Sequence, residues 1–155
     1  MLLSSQVKEH LKGPKSSYTG TRDKDYRCEI VRVMGVISTG HDSIKFFIAE
    51  ESGARTLDNL RSNKIVTLST TNIFTSESFQ MKGRLINFRP ATEEENTFIK
   101  DYVTSFDETA SKLGFPPGMI SNKMPHQPAV AIEFVVDQIF DQTPKIGTGK
   151  LVSAV

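Results

Sequence analysis

The sequence predicts a mainly β protein, β with helical insertions, arranged as a six-stranded antiparallel barrel. Three observations carry that expectation. Six segments are rich in β-favouring residues, most of their connections are short enough for hairpins, and the stretches between some of them switch to helical spacing. Consecutive strands joined in this way fit an antiparallel barrel that carries helices as insertions.

Leu3, Val7 and Leu11 lie four apart and predict a short amphipathic helix ended by Gly13-Pro14. Ser16–Arg22 forms a first strand through Ser17, Tyr18, Thr19 and Thr21, and Asp23-Lys24-Asp25 turns the chain. Tyr26–Ile37 alternates loosely around Ile30, Val31, Val33, Val36 and Ile37, a long second strand in which Gly35 marks a bulge or a close approach. Gly40-His41-Asp42 is a turn, and Ser43–Ala49 is the third strand. Ser52–Arg61 changes period: Ala54, Leu57 and Leu60 lie three apart, with Ser52 as the expected N-cap and Ser62-Asn63 closing the helix.

Lys64–Thr70 and Phe79–Phe88 return to strand character. A long helix follows, opened by a Thr92/Glu95 capping box with Glu93 and Glu94 in its first turn. Its stripe runs through Phe98, Ile99, Tyr102, Val103, Phe106, Ala110 and Leu113 until Gly114 and Pro116-Pro117 end it. Ala129–Phe140 is the sixth strand, with Val130, Ile132, Phe134 and Val136 on one face. The organisation is an N-terminal helix (1–14), a barrel domain (15–145) and an extended tail (146–155).

Nineteen Lys and Arg against 18 Asp and Glu leave a formal charge of +1, which argues against bulk electrostatic attachment to nucleic acid or anionic membrane. There is no Trp, and most Phe residues fall at apolar positions, so a base-stacking nucleic-acid surface is not expected either. The single cysteine, Cys28, excludes an internal disulfide, and it reads as an inert packed thiol because no activating base lies beside it. His10, His41 and His126 are scattered without metal-ligand spacing. No apolar run reaches the ~20 residues of a membrane span. Met1-Leu2-Leu3 is too short for a secretion signal, so the expected location is cytoplasmic.

Gly147-Thr148-Gly149-Lys150 suggests a phosphate loop but fails as one. Pro144 stands where the first glycine is needed and Leu151 where Ser or Thr should follow. Two other segments carry more. At Ala49-Glu50-Glu51-Ser52-Gly53-Ala54-Arg55 a strand ends and a helix opens, a junction whose free N–H groups and dipole attract anions, with Arg55 able to complete the grip. Read from local pattern alone it is an ordinary helix start with a solvated Arg55, and Glu50 and Glu51 oppose an anion. Gln80, Lys82 and Arg84 share one strand face at i, i+2 and i+4, which serves either a polar cofactor or solvent.

Taken in order, Thr21-Arg22-Asp23, Ile30-Val31-Arg32-Val33, Phe46-Phe47-Ile48-Ala49, Arg55 through Val66, Met81-Lys82-Gly83-Arg84-Leu85 and Phe134 through Pro144 resemble the flavin-binding split-barrel superfamily, the relatives of pyridoxamine 5′-phosphate oxidase. The resemblance spans roughly residues 15 to 145. Its most characteristic unit is a small helix with Asn59-Leu60-Arg61-Ser62-Asn63, the next strand, and then Lys82-Gly83-Arg84.

The resemblance implies a split β-barrel of the FMN-binding type. It also implies a homodimer with two flavin mononucleotide (FMN) sites at the subunit interface. By the same resemblance Arg32, Ser52, Gly53 and Arg55 hold the phosphate, the ring lies along backbone near Val33 and Met34, and Gln80 and Lys82 reach its polar edge. Residues 114 to 127 come from the partner. The basic and aromatic pairs that hold pyridoxal phosphate in the true oxidase are not recognisable near the C-terminus, so that reaction is not implied. The expected function is a flavin-dependent oxidoreductase whose substrate is unassigned. The alternative is a non-catalytic module binding flavin, deazaflavin or haem.

Overall fold

The computed structural model describes residues 3–154. Along the chain lie α1 (Ser5–His10), β1 (Ser16–Arg22), β2 (Cys28–Arg32), β3 (Val36–Ser38), β4 (Ser43–Ala49), α2 (Glu50–Asn63) and β5 (Ile65–Thr71). They are followed by β6 (Ser78–Pro90), α3 (Glu93–Ser111), α4 (Met119–Lys123), β7 (Ala129–Asp141) and β8 (Lys150–Ala154). All pairings are antiparallel, in the order β2-β1-β5-β6-β7-β4-β3, with β8 added to β7.

Eight strands stand where six were expected, for two reasons. The predicted second strand is divided into β2 and β3 by Val33-Met34-Gly35, and the tail adds β8. That division closes the barrel. β2 pairs with β1 while β3 pairs with β4, so one bent stretch joins both ends of the sheet. At the seam the Val33 N–H donates to the Ser17 carbonyl at 2.9 Å and the next amide, Met34, donates to Phe47 on the other side at 2.8 Å. Gly35 makes the bend with φ of +110°, and Phe98 covers it so closely that a Cβ there would lie 2.6 Å from the ring.

Alternation along the strands sends two apolar sets in opposite directions. Inside the barrel Val31, Val33, Phe46, Leu68, Met81 and Phe134 belong to one continuous buried cluster. Leu3, Val7 and Leu11, within and flanking α1, and Leu57 and Leu60 from α2 join the same cluster. The two helices attach at opposite ends of β1. His10 of α1 is buried, with Nδ1 3.1 Å from Glu77 Oε2 and Nε2 3.0 Å from Thr70 Oγ1. Outside the barrel, Phe47, Ala49, Ala129 and Ala131 pack beneath Ile99, Tyr102, Val103 and Phe106 of α3.

Helix α3 starts as its sequence predicts. Thr92 accepts from the Glu95 N–H, and Glu95 accepts from the Thr92 N–H. Glu95 also receives Arg89 at 2.7 Å and Lys45 at 3.1 Å, tying the helix start to β6 and β4. The Arg89 guanidinium, with Thr92 and Lys45, holds the Glu95 carboxyl at about 2.

Four local expectations differ from the structure. Helix α2 begins at Glu50 rather than after Ser52, because the Pro128 carbonyl at the entry to β7 accepts from the Glu50 N–H at 2.9 Å and Ala49 is the N-cap. Helix α3 stops at Ser111, which leaves Leu113 outside its stripe and 45% exposed. The short α4 follows in a segment with no periodic signal. Cys28 is exposed, because β2 turns that side of the strand outward together with Ile30. No helix among the described residues is long and apolar enough to cross a membrane.

Gly83 marks a close approach of two strands. A β-bulge between Lys82 and Gly83 presses β6 onto β7, and a Cβ at Gly83 would sit 1.9 Å from the Val135 carbonyl oxygen. Gly83→Ala should therefore cost about 3 kcal/mol or more in chemical denaturation, with Lys82→Ala as a control near zero. A cost below about 1 kcal/mol would show that the bulge relaxes freely.

The Glu95 cluster predicts an acid-sensitive helix start. Its carboxyl pKa is lower folded than unfolded, about 2 against 4.5, so its stabilisation is complete above pH 4.5 and is lost as pH falls towards 2. Glu95→Gln should lose about 1–3 kcal/mol at pH 7 and should flatten the stability profile in that window. Parallel wild-type and variant profiles between pH 5 and 2.5 would contradict this.

Candidate functional site

The barrel wall made by β2, β1, β5, β6 and β7 turns one set of side chains outward, and register aligns them in rungs. One rung reads Arg32, Tyr18, Ser69, Gln80 and Phe140 across the five strands. Its neighbour reads Ile30, Gly20, Thr67, Lys82 and Gln138. Arg32, Gln80 and Lys82 therefore share one face, although 48 residues separate Arg32 from Gln80 in sequence.

The middle of this face carries small residues and its margins carry large ones. Gly20 has no side chain, and the nearest atom to a Cβ placed there would be Thr67 Cβ at 4.0 Å. Thr67 and Ser69 are the next small residues. On one side the Arg32 guanidinium lies 4.7 Å from the Tyr18 ring centroid and bonds the Tyr18 hydroxyl. On the other, Lys82 Nζ stands 4.8 Å from the Phe140 centroid. The β2 to β6 distance spans three strand spacings, about 14 Å. The result is a trough floored by small residues and edged by one cation and one aromatic ring on each side.

Arg84, the third member of the predicted β6 face, is already engaged. Its Nε and NH2 donate to Asp137 at 3.0 and 3.1 Å, an arrangement that raises the guanidinium pKa further. Lys82 has no carboxylate within salt-bridge distance among the described residues.

The remaining predicted residues sit around the β4–α2 junction. Antiparallel pairing of β3 with β4, continued past Gly35, carries Arg32 towards Ala49 and Glu50. Ser52 is exposed in the first turn of α2. Gly53 is buried against β4, where a Cβ would lie 2.4 Å from Ile48 Cδ1, so its size is required by packing. Arg55 is half exposed and lies 3.5 Å from Glu29 of β2. Val33 and Met34 are each 1% exposed and point into the two different cores, so what they offer a ligand is backbone rather than side chain.

The Asn59 and Asn63 pair explains why α2 holds this position. Asn59 Nδ2 donates to Thr21 Oγ1 at 3.0 Å in a buried contact. Asn63 Nδ2 donates to the Arg22 carbonyl at 2.7 Å while its Oδ1 accepts from the Ile65 N–H at 2.9 Å. Their four-residue spacing places both on the side of α2 facing β1. Tyr18, Phe140 and Glu29 escaped the sequence reading. Each is unremarkable in its own strand and acquires a partner only through register.

Neither a family model nor a curated protein sequence matches this chain. Solved structures do. An F420 reductase aligns with a TM-score of 0.58 at 13% identity, covering 88% of this chain and 98% of its own. A candidate pyridoxamine 5′-phosphate oxidase from Lactobacillus delbrueckii aligns at 0.56 and 9% identity, covering 90% and 93%. An FMN-binding protein from Syntrophomonas wolfei aligns at 0.50 and 16% identity, covering 95% and 88%. Such identities speak for the fold. The chain has the split β-barrel fold of the pyridoxamine 5′-phosphate oxidase-like, flavin-binding proteins.

Proposed function

We propose that the outer trough holds a flavin, with FMN as the first candidate, and that the chain acts as a flavin-dependent oxidoreductase. The observation that carries this reading is the convergence of Arg32, Gln80 and Lys82 on one face across a floor of Gly20, Thr67 and Ser69. The residues suit such a group: small side chains leave room for a flat ring, and cations and an amide match its anionic and carbonyl ends. Similarity to proteins named for F420 and for FMN supports the same class, and a deazaflavin is the close alternative.

When bound, a flavin supplies the electron or hydride transfer, which leaves binding and orientation to the protein. Arg32, with Arg55 and the N-terminal turn of α2, exposed at Ser52 and closed behind by the buried Gly53, neutralises the phosphate. Gln80 and Lys82 donate hydrogen bonds to the polar edge of the ring, and backbone at Val33 and Met34 sets its inner limit. For haem the buried His10 is no ready ligand, because both its ring nitrogens are taken by Glu77 and Thr70.

A second copy of the chain completes the site in this reading. The same face exposes Tyr18 (37%), Ile30 (68%) and Ile65 (41%), apolar surface that a partner would cover. Residues 114 to 127 then reach across as the partner's contribution. The substrate is left open, and a storage or carrier role for the flavin is the second reading.

Arg32→Ala and Arg55→Ala should each weaken FMN binding by about 1–3 kcal/mol in a fluorescence-quenching titration, whereas riboflavin, which has no phosphate, should bind both variants as it binds the wild type. Equal losses for the two flavins would place the phosphate elsewhere. Unchanged FMN affinity in both variants would do the same.

A further inference from the structure

A second concavity lies away from the trough. It is a cleft of about 850 Å³ between α1, the β3–β4 hairpin and α3, and none of the eight sequence-predicted site residues lines it. Its volume falls within the range of small-molecule pockets, roughly 300–1,000 Å³.

The walls are apolar and partly aromatic. Leu11, Val36, Ile37, Phe98 and Tyr102 supply them. Phe98 and Tyr102 are successive members of a stack, with centroids 6.5 Å apart and planes inclined by 33°. The Tyr102 hydroxyl donates to the Lys15 carbonyl at 2.6 Å and accepts from the Lys15 N–H at 3.1 Å, so it is committed to the loop behind α1. What Tyr102 offers the cleft is ring surface.

The charges are unevenly placed. Lys8 and Lys12 stand on the α1 side, Asp101 stands on the α3 side, and His41 lies on the hairpin. Lys12 is paired with Glu9 at 2.6 Å. Lys8 is half-buried and makes no ion pair among the described residues. An ammonium at the lip of an apolar cleft, with the nearest lining carboxylate on the opposite wall, favours an anionic group at α1 and disfavours one at α3.

We infer that this cleft is a second ligand site, separate from the flavin trough, that takes a small amphipathic acid: an apolar or aryl body between α1 and α3, with its carboxylate or sulfonate against Lys8. The apolar body accounts for Phe98 and Tyr102, and the single acid group accounts for Lys8. A dianion or a phosphorylated nucleotide is disfavoured, because the second charge would meet Asp101.

The probes are 8-anilinonaphthalene-1-sulfonate, which joins a planar apolar body to one acid group, and octanoate as its competitor. The wild-type chain should bind the fluorophore saturably, and octanoate should displace it. Lys8→Glu should weaken binding by about fivefold or more, as reversal of a partly screened contact does, and Lys8→Arg should restore it. Ile37→Arg, which fills the cleft from β3, should abolish binding while circular dichroism stays native. Added FMN should not compete.

Equal affinity in wild type, Lys8→Glu and Ile37→Arg would overturn the proposal, as would non-saturable binding. Displacement by FMN would overturn the separateness of the two sites. If FMN fails to bind anywhere while the Lys8 effect holds, the flavin reading falls and this site stands.

Discussion

The structure depends on one stretch of backbone with two sets of neighbours. Residues 28–38 pair with β1 through their first half and with β4 through their second. At Val33 and Met34 they pair on both sides at once. Without that double pairing β2 and β3 would be two exposed edges of an open sheet, with unpaired amides on each. With it, the interior cluster is enclosed, α3 gains an outer surface to pack on, and Arg32 is delivered to the sheet face beside the start of α2. The bend needs a glycine at Gly35, and Phe98 of α3 is seated against it, so barrel closure and helix docking reinforce each other.

The core and the candidate site share the inside and the outside of the same strands. Each strand's inward residues make the core and its outward residues make the trough, so the period of two that stabilises the barrel also spaces the site. Gly83 shows the coupling at one position. The bulge that it permits sits beside Lys82, between the close approach to the Val135 carbonyl and the cation at the trough margin. The characteristic Lys82-Gly83-Arg84 unit thus combines three tasks: a cation over the Phe140 ring, a close approach of backbone and an ion pair with Asp137.

Much of this was legible in the residues, and what was not has identifiable causes. β1 and β4 were read to the residue because turn residues bound them sharply, and the α3 capping box was read because its partners are three apart. Ser52 misled because the true cap comes from Pro128, a carbonyl 78 positions away from Glu50 along the chain. β8 and α4 escaped because Lys150–Ala154 and Met119–Lys123 are each five residues, too short to show a period, and pairing with β7 and the Asp107 carboxylate give them structure. For the candidate site, sequence spacing names residues but not their neighbours. The rung joining Arg32 to Gln80 exists only through the registers of β1, β5 and β6, which no local pattern encodes.

A barrel closed in this way is proposed to carry a flavin on its outer face. The most direct test is the visible absorption spectrum of the purified chain after incubation with FMN and desalting. The account predicts retained flavin bands, shifted from those of the free cofactor, at a stoichiometry of about one per chain. A colourless protein after reconstitution with FMN, and again with a deazaflavin, would contradict it.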